Sequence, residues 1–377
     1  MMRPSGVYST DYIEDQAIWR TRVDYFWAIL FLVVSFSLPM FSAAGLLGQA
    51  GIRLVPETLL GILTDGGILL ISITGLNLLL GYTGQISLGQ ASFMMVGAYT
   101  SAVLTRQSGV PFVFALPIAA VFTGVVGLLF GLASLRVKGF YLAMATLAAQ
   151  FIIPWAISSY KGDLMRLGGD TGLTVDPARV LGITLNTNME EYYLVLVVTI
   201  VMWILARNMV RTRLGRAWIA IRDNDLAAEQ LGINVFRYKV LAFFMSAIYA
   251  GVAGSLLAHV RRTVSPAAFD ITESIEMLGM LVIGGAGFPL GPLFGVAFFL
   301  FVERWFIDVA RDILIDILPS ILTFREREAL EGSLLAGLPP LLFGSFLAIF
   351  LIFQPRGLAY RWTIIQAAWR LRPFSKV

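Results

Sequence analysis

Eight stretches of this 377-residue chain contain no Asp, Glu, Lys or Arg: 25–52, 66–105, 107–135, 139–160, 192–206, 240–260, 277–302 and 332–355. A helix needs about 20 apolar residues to cross the hydrocarbon of a bilayer, and all of these stretches except 192–206 are long enough. Only 14% of the residues are charged, against about 25% in soluble domains. The chain is therefore an integral membrane protein, and an all-α polytopic helical bundle is its expected fold class.

The 40-residue stretch 66–105 must hold two passages, divided at Gly81-Tyr82-Thr83-Gly84-Gln85. The stretch 277–302 is interrupted by Gly284-Gly285-Ala286-Gly287-Phe288-Pro289-Leu290-Gly291-Pro292, which cannot continue a smooth helix. It makes either two short spans or a re-entrant hairpin. Counting both breaks predicts about ten spans, near 25–47, 59–80, 86–105, 111–134, 140–158, 192–208, 240–259, 272–287, 291–307 and 335–353. Residues 1–24 have no apolar core ahead of a small-residue cleavage site, so a short cytoplasmic arm is expected there rather than a signal peptide. With the N-terminus inside, the inner segments collect 17 of the 28 basic residues but only seven of the 24 acids. That bias matches the positive-inside rule and predicts both termini in the cytoplasm.

The resulting organisation is an arm at 1–24, a transmembrane domain at 25–354 and a basic cytoplasmic tail at 355–377. Within the domain, 207–239 forms a long cytoplasmic loop. The segment 303–331 places Ile307, Ala310, Ile313, Leu314 and Ile317 at helical spacing opposite Asp308, Asp312 and Asp316. It predicts an outer amphipathic helix, lying on lipid or packed on the bundle.

Several function classes drop out. Cysteine is absent and His259 is the single histidine, which removes thiolate chemistry and leaves too few nitrogen ligands for a His-based metal centre. The net charge of +4 is not gathered into a dense basic run with interleaved aromatics, as a nucleic-acid surface would require. No GxxxxGK[ST] loop is present, and no spacing of Ser, Asp and His points to a catalytic triad. Transport without an active site in this chain is the expectation.

Polar character inside the spans is concentrated at the breaks. Between Gly81 and Gly97, glycines alternate with Tyr82, Thr83, Gln85, Ser87, Gln90 and Ser92. Exposed backbone at bilayer depth is tolerated only against protein or a water-filled cavity. This turn therefore either lines a pathway or packs helices closely through small residues. Asp65 lies about six residues inside a predicted span, which fits a helix-terminal acid reaching the outer interface. Asn77, Gln90 and Gln150 lie deeper, where hydrogen bonding between helices is the ordinary role. His259, beside Arg261 and Arg262, is expected at the interface.

The long loop carries the sharpest local signal. Asp225, an N-cap type, precedes Leu226-Ala227-Ala228-Glu229-Gln230-Leu231, and Gly232 follows as a stop. A short, small-faced helix projecting from the membrane is shaped to sit in a partner's groove, or else to lie on the inner leaflet.

At these residues the chain resembles the membrane subunits of ATP-binding-cassette importers for branched-chain amino acids, specifically the larger, M-type permease of the Liv system. The resemblance runs from about Leu59 to Leu358. It rests on Gly75–Gly89, on Arg136-Val137-Lys138-Gly139-Phe140-Tyr141-Leu142-Ala143, on Ala227-Ala228 with Gly232-Ile233-Asn234, on Gly284-Gly285-Ala286-Gly287 and on Phe353-Gln354-Pro355-Arg356-Gly357-Leu358.

The resemblance implies that the loop couples to an ATPase, through Arg222, Asp223, Asp225, Leu226, Ala227, Ala228, Glu229 and Gly232. Leu226 stands where the general permease pattern has Glu. It also implies a second permease subunit, two ATP-binding subunits and a periplasmic binding protein as partners, in a bacterial inner membrane. ATP and Mg2+ would be held by the partner ATPases, with no cofactor in this chain. For the translocation pathway the expected residues are Asn77, Tyr82, Gln85, Ser87, Gln90, Gly284 and Gly285. Leu, Ile and Val are the expected cargo, with urea, short amides or another small carboxylate as the alternative within the same class. An ATP-independent channel or carrier is the alternative outside it.

Overall fold

The computed structural model describes residues 22–42, 56–134, 140–159, 172–180, 182–302 and 341–371. The predicted outer amphipathic segment and almost all of the N-terminal arm lie outside them.

The helices fall where the uncharged stretches lie. Helix α1 (Arg22–Ser37) runs into a short 3-10 turn, Leu38–Phe41, where Pro39 supplies no N–H and ends the regular ladder. Then come α2 (Glu57–Leu76), α3 (Gln90–Arg106), α4 (Phe112–Ser134) and α5 (Phe140–Ser159). Helix α6 (Asn188–Arg211) is followed by α7 (Arg213–Asp223), α8 (Asp225–Gln230) and α9 (Val235–Arg261). Two shorter helices, α10 (Ile271–Gly284) and α11 (Gly291–Phe301), flank the glycine-rich break. Helix α12 (Leu341–Phe353) meets α13 (Leu358–Leu371) at a bend of 46°. The stretch read as a basic tail therefore begins with a helix.

Among the described residues, four helices are long and apolar enough to cross a membrane: Glu57–Gly81, Phe112–Leu132, Asn188–Arg211 and Val235–Arg261. The bent pair α12–α13 would make a fifth. Over these residues α10 and α11 extend about 21 and 17 Å at 1.5 Å per residue, short of a full crossing. They pack on one another through Gly284, Gly291 and Gly295, positions where a Cβ would strike the facing backbone.

Helix α9 is the centre of the bundle, packed against α2, α3 and α4. Its middle, Ala247 to Ser255, is rich in small residues, with Gly251 and Gly254 among them, so neighbouring backbones come into contact. A Cβ on Gly97 of α3 would fall on the backbone of Gly251, and one on Gly254 would fall on the carbonyl of Met94. Gly251 also meets α4, with Thr123 Oγ1 2.7 Å from where its Cβ would stand. Side-chain hydrogen bonds also tie α9 to α3, Ser255 donating to Ser101 Oγ at 2.8 Å, and to α6, Tyr249 donating to the carbonyl of Met202 at 2.9 Å.

Two expectations change. Helix α6 starts at Asn188, four residues before the predicted span, because Thr187 and Glu190 form a capping box: Glu190 N donates to Thr187 Oγ1, and Thr187 N to Glu190 Oε2. Charged residues in that first turn favour the helix N-terminus instead of excluding it. Four two-residue strands accompany the helices: β1 (Leu173–Thr174), β2 (Arg179–Val180), β3 (Ile183–Thr184) and β4 (Thr263–Val264). Strand β1 pairs antiparallel with β4, and β2 with β3. His259, near the same end of α9 as Arg261 and Arg262, is buried in the protein with its ring 4.6 Å from that of Phe112.

At the end of α9 away from α7 and α8, Arg261 pairs with Asp65 at 3.5 Å and Arg262 with Glu191 at 3.1 Å. Asp65 is about one-third exposed, which fits the helix-end role read from its position.

Candidate functional site

The two glycine-rich breaks, 200 residues apart in sequence, meet in space. At the end of α2 the ladder loosens into a π-helical turn, Asn77–Gly81. Such turns recur at functional sites because they displace a side chain from the regular helical rows. Here the displaced side chain is Asn77, which is buried. Its Nδ2 donates to the carbonyl of Phe288 at 3.0 Å, and its Oδ1 accepts from the N–H of Gly287 at 2.8 Å. One amide thus satisfies both a donor and an acceptor of the α10–α11 break. The break needs its glycines: Gly285 and Gly287 have φ of +110° and +87°. A Cβ on Gly81 would collide with Asn77 and with the Gly287 N–H.

The loop after α6 reaches the same place. Arg222, in the last turn of α7, donates through Nη1 to the carbonyl of Gly81, and a Cβ on Gly287 would fall on that nitrogen. A cation at the C-terminal end of a helix meets its unpaired carbonyls and the negative end of its dipole. Beyond the break, the C-terminal helix closes in. A Cβ on Gly285 would lie 3.2 Å from the Arg356 carbonyl, and the Phe288 ring sits 6.1 Å from that of Tyr360.

Beside this joint is a small open cleft whose lining includes Asn77, Tyr82, Trp203, Arg207 and Pro289. Trp203 Nε1 donates to the Pro289 carbonyl at 3.2 Å, and the Arg207 guanidinium lies 5.1 Å from the Trp203 ring centroid. Burial pushes the Tyr82 phenol well above its ordinary pKa, against the opposing pull of Arg207 and Arg222. Tyr82 is therefore a neutral hydroxyl throughout the physiological range.

A second polar cluster sits at the start of α3. Gln90 Nε2 donates to the Ser72 carbonyl at 3.1 Å, and Ser246 donates to Gln90 Oε1 at 3.4 Å. Gln150 Oε1 accepts from Ser92 N at 3.1 Å and Ser274 Oγ at 2.9 Å, while its Nε2 donates to the Phe269 carbonyl at 2.8 Å. The first free N–H groups of α3 are thereby satisfied by side chains of α5 and α10, because Gly89 at the N-cap has no side chain to offer.

Of the expected pathway residues, Asn77, Tyr82, Gly284 and Gly285 thus stand at or beside the joint, while Gln90 belongs to the second cluster. Ser87 is buried and accepts from Gly89 N at 3.4 Å. Gln85 is buried with its Nε2 donating to Thr83 Oγ1 and its Oε1 without a partner among the described residues. Trp203, Arg207, Ser72, Ser246 and Ser274 were not singled out from sequence. The serines are isolated small hydroxyls with no telling spacing, and Trp203 and Arg207 read as the ordinary end of a span.

The loop helix is present, with its cap shifted by one residue. Asn224, not Asp225, is the N-cap of α8, its Oδ1 accepting from Ala227 N at 3.1 Å. Asp225 lies in the first turn, 3.6 Å from Lys239 Nζ. At the far end Gly232 adopts φ +82°, with its N–H donating to the Glu229 carbonyl at 3.0 Å and Ile233 N to Ala228 at 3.1 Å. That double closure is a Schellman ending. Ala228 is buried, whereas Asp223, Leu226, Ala227 and Glu229 are exposed, Leu226 at 61% and the neighbouring Leu231 at 81%. Arg222 is exposed too, but its guanidinium reaches back to the Gly81 carbonyl.

Comparison with known proteins identifies the family. Residues 58–324 match the family described as branched-chain amino acid transport system / permease component. The high-affinity branched-chain amino acid transport system permease protein LivM of Escherichia coli K12 is 30% identical over 308 residues, 75% of this chain and 66% of that protein. LivM of Salmonella typhimurium is 32% identical over 56% of this chain and 55% of its own length. The probable branched-chain amino acid transport permease protein LivH of Methanocaldococcus jannaschii is 26% identical over 66% of this chain and 79% of its own. The chain spans about two thirds or less of the length of the two LivM relatives. No solved structure matches. With the family match covering most of the chain and its matching region containing both helix breaks and the α7–α8 loop, this helical membrane protein belongs to the branched-chain amino acid transport permease family.

Proposed function

We propose that the chain is one of two permease subunits of an ATP-driven importer and forms half of a translocation pathway for Leu, Ile and Val. In this reading it crosses a bacterial inner membrane about ten times with both termini in the cytoplasm, takes its cargo from a periplasmic binding protein, and is powered by two separate ATPase chains that hold ATP and Mg2+. The observation that carries it is the projecting helix α8. Its two capped ends, exposed Leu226, Ala227 and Glu229 and buried Ala228 make a firm, solvent-facing knob, the form a helix needs to seat in a partner's groove.

The pathway would run by Asn77, Tyr82, Gln85, Ser87, Gln90, Gly284 and Gly285. A zwitterion with an apolar side chain needs neutral polar groups set among apolar walls. The Gln85 amide oxygen, without a partner among the described residues, and the Tyr82 hydroxyl, in the cleft with Leu78 and Trp203, are groups of that kind.

Purification of a tagged chain from its native membranes, with identification of every co-purifying protein by mass spectrometry, tests the class. A phosphate-loop ATPase and a second permease are expected. An active chain recovered alone would overturn the assignment in favour of a channel or carrier. Uptake of labelled leucine by vesicles holding the whole complex, competed by isoleucine and valine but not by urea or acetamide, tests the cargo.

A further inference from the structure

We infer that Arg222 is the positioning residue that carries motion of the α7–α8 loop to both helix breaks at once, rather than a contact for the ATPase. The inference rests on the importer reading above and deepens it.

Four features of the fold support it. First, α7 and α8 are separated by the single residue Asn224, which ends one helix and caps the other, so the two turn together. Second, α7 is held firmly. Trp218 is fully buried with its Nε1 donating to the Tyr238 carbonyl at 3.0 Å, and Ile221 is buried beside it. Third, Arg222 leaves this anchored helix and meets both breaks. Its guanidinium donates to Gly81, occupies the space over Gly287, and its Cγ lies 3.5 Å from where a Cβ of Gly84 would stand. Fourth, the two breaks are already tied by Asn77 through Gly287 and Phe288. A displacement of the knob therefore has one direct side-chain route into the end of α2 and the start of α11.

Arg222 is exposed, as are Asp223, Leu226, Ala227 and Glu229, but its guanidinium is engaged with Gly81, which leaves the others as the groups a docking partner would meet. The chemistry at Gly81 asks for a cation with an N–H, because the carbonyl it meets is one that the helix leaves unpaired. Lysine retains the charge and a donor but not the planar fork. Alanine retains neither.

The test uses the complete complex in proteoliposomes, measuring substrate taken up per ATP hydrolysed. Arg222→Ala is expected to retain the ATPase chains on purification and to hydrolyse ATP, while moving at least tenfold fewer substrate molecules per ATP. Arg222→Lys should recover at least half of that ratio. Gly287→Ala, which fills the guanidinium's seat and also strains a backbone held at φ +87°, should lower the ratio at least as far. The double variant should be no worse than the poorer single one, since both break the same link. Should Arg222→Ala fail to accumulate, Gly287→Ala alone carries the test.

An unchanged ratio in Arg222→Ala or Gly287→Ala overturns the inference. So does loss of the ATPase chains from Arg222→Ala, which would make Arg222 a docking contact and leave the importer reading standing. Absence of any ATPase from the unmodified complex would instead overturn the importer reading, and this inference with it.

Discussion

Asn77 and Phe288 lie 211 positions apart in sequence and are joined by a 3.0 Å hydrogen bond between a buried side-chain amide and a backbone carbonyl. The same amide accepts from Gly287, so its removal strands one donor and one acceptor of an irregular segment. Asn77→Ala should lower stability by about 1–3 kcal/mol, the cost of unsatisfied buried polar groups. Thermal unfolding in detergent should show the fall, and leucine uptake should fall further than protein abundance. Unchanged melting would mean that the break is held by other contacts.

Glycines that look alike in sequence should respond in opposite ways. Gly254 has the Met94 carbonyl where its Cβ would go, whereas Gly61 has nothing within 4 Å. Gly254→Ala should cost about 3 kcal/mol through overpacking between helix backbones, and Gly61→Ala should gain about 0.5–1 kcal/mol from the helix preference of alanine. Parallel melting curves of the two variants check the sign of each.

The ending of α8 gives a graded test. Gly232 combines open surroundings with φ +82°, so only backbone conformation opposes a side chain there. Gly232→Asn should be tolerated, Gly232→Ala should cost about 1–2 kcal/mol, and Gly232→Pro should be worst, since proline fixes φ near −65° and removes the N–H given to Glu229. Uptake normalised to the amount of protein in the membrane should fall in that order, and normal uptake by Gly232→Pro would count against a coupling role for α8.

The cap at the other end separates two neighbouring residues. Asn224→Ala should fray α8 at a cost of about 1 kcal/mol, while Asp225→Ala removes an ion pair worth no more than about 1 kcal/mol at a partly exposed site. Amide exchange at Ala227 and Ala228 should rise in the first variant and change little in the second.

The helices were legible because absence of charge over 20 residues is a strong statement about solvent. Boundaries set by capping were not. A rule based on charge placed the start of α6 after Glu191, although Glu190 is what secures the helix at Thr187. The cap of α8 slipped by one residue for a related reason, since Asn224 and Asp225 are both good capping types and adjacent, and only the extended backbone of Asn224 (φ −159°, ψ 109°) distinguishes them. Both glycine-rich breaks were visible as breaks, yet their meeting was not. Nothing in the spacing of Asn77 and Gly287 records that they touch, and Arg222 in a loop with Arg211, Arg213 and Arg216 looks like one more charge of the inner face. The buried His259 escaped for want of context. Its two arginine neighbours mark the surface, but its own side of α9 faces Phe112.

The glycine seams of α9 have a mechanical consequence. Where one backbone rests on another at Gly97, Gly251 and Gly254, no flexible side chain lies between to absorb a shift. Helices α3, α4 and α9 must then travel as one block, a stator within the subunit. The joint between the π-turn of α2 and the Gly284–Gly291 hairpin is built differently, since side-chain hydrogen bonds from Asn77 and Arg222 tie its two halves, and such bonds can exchange partners.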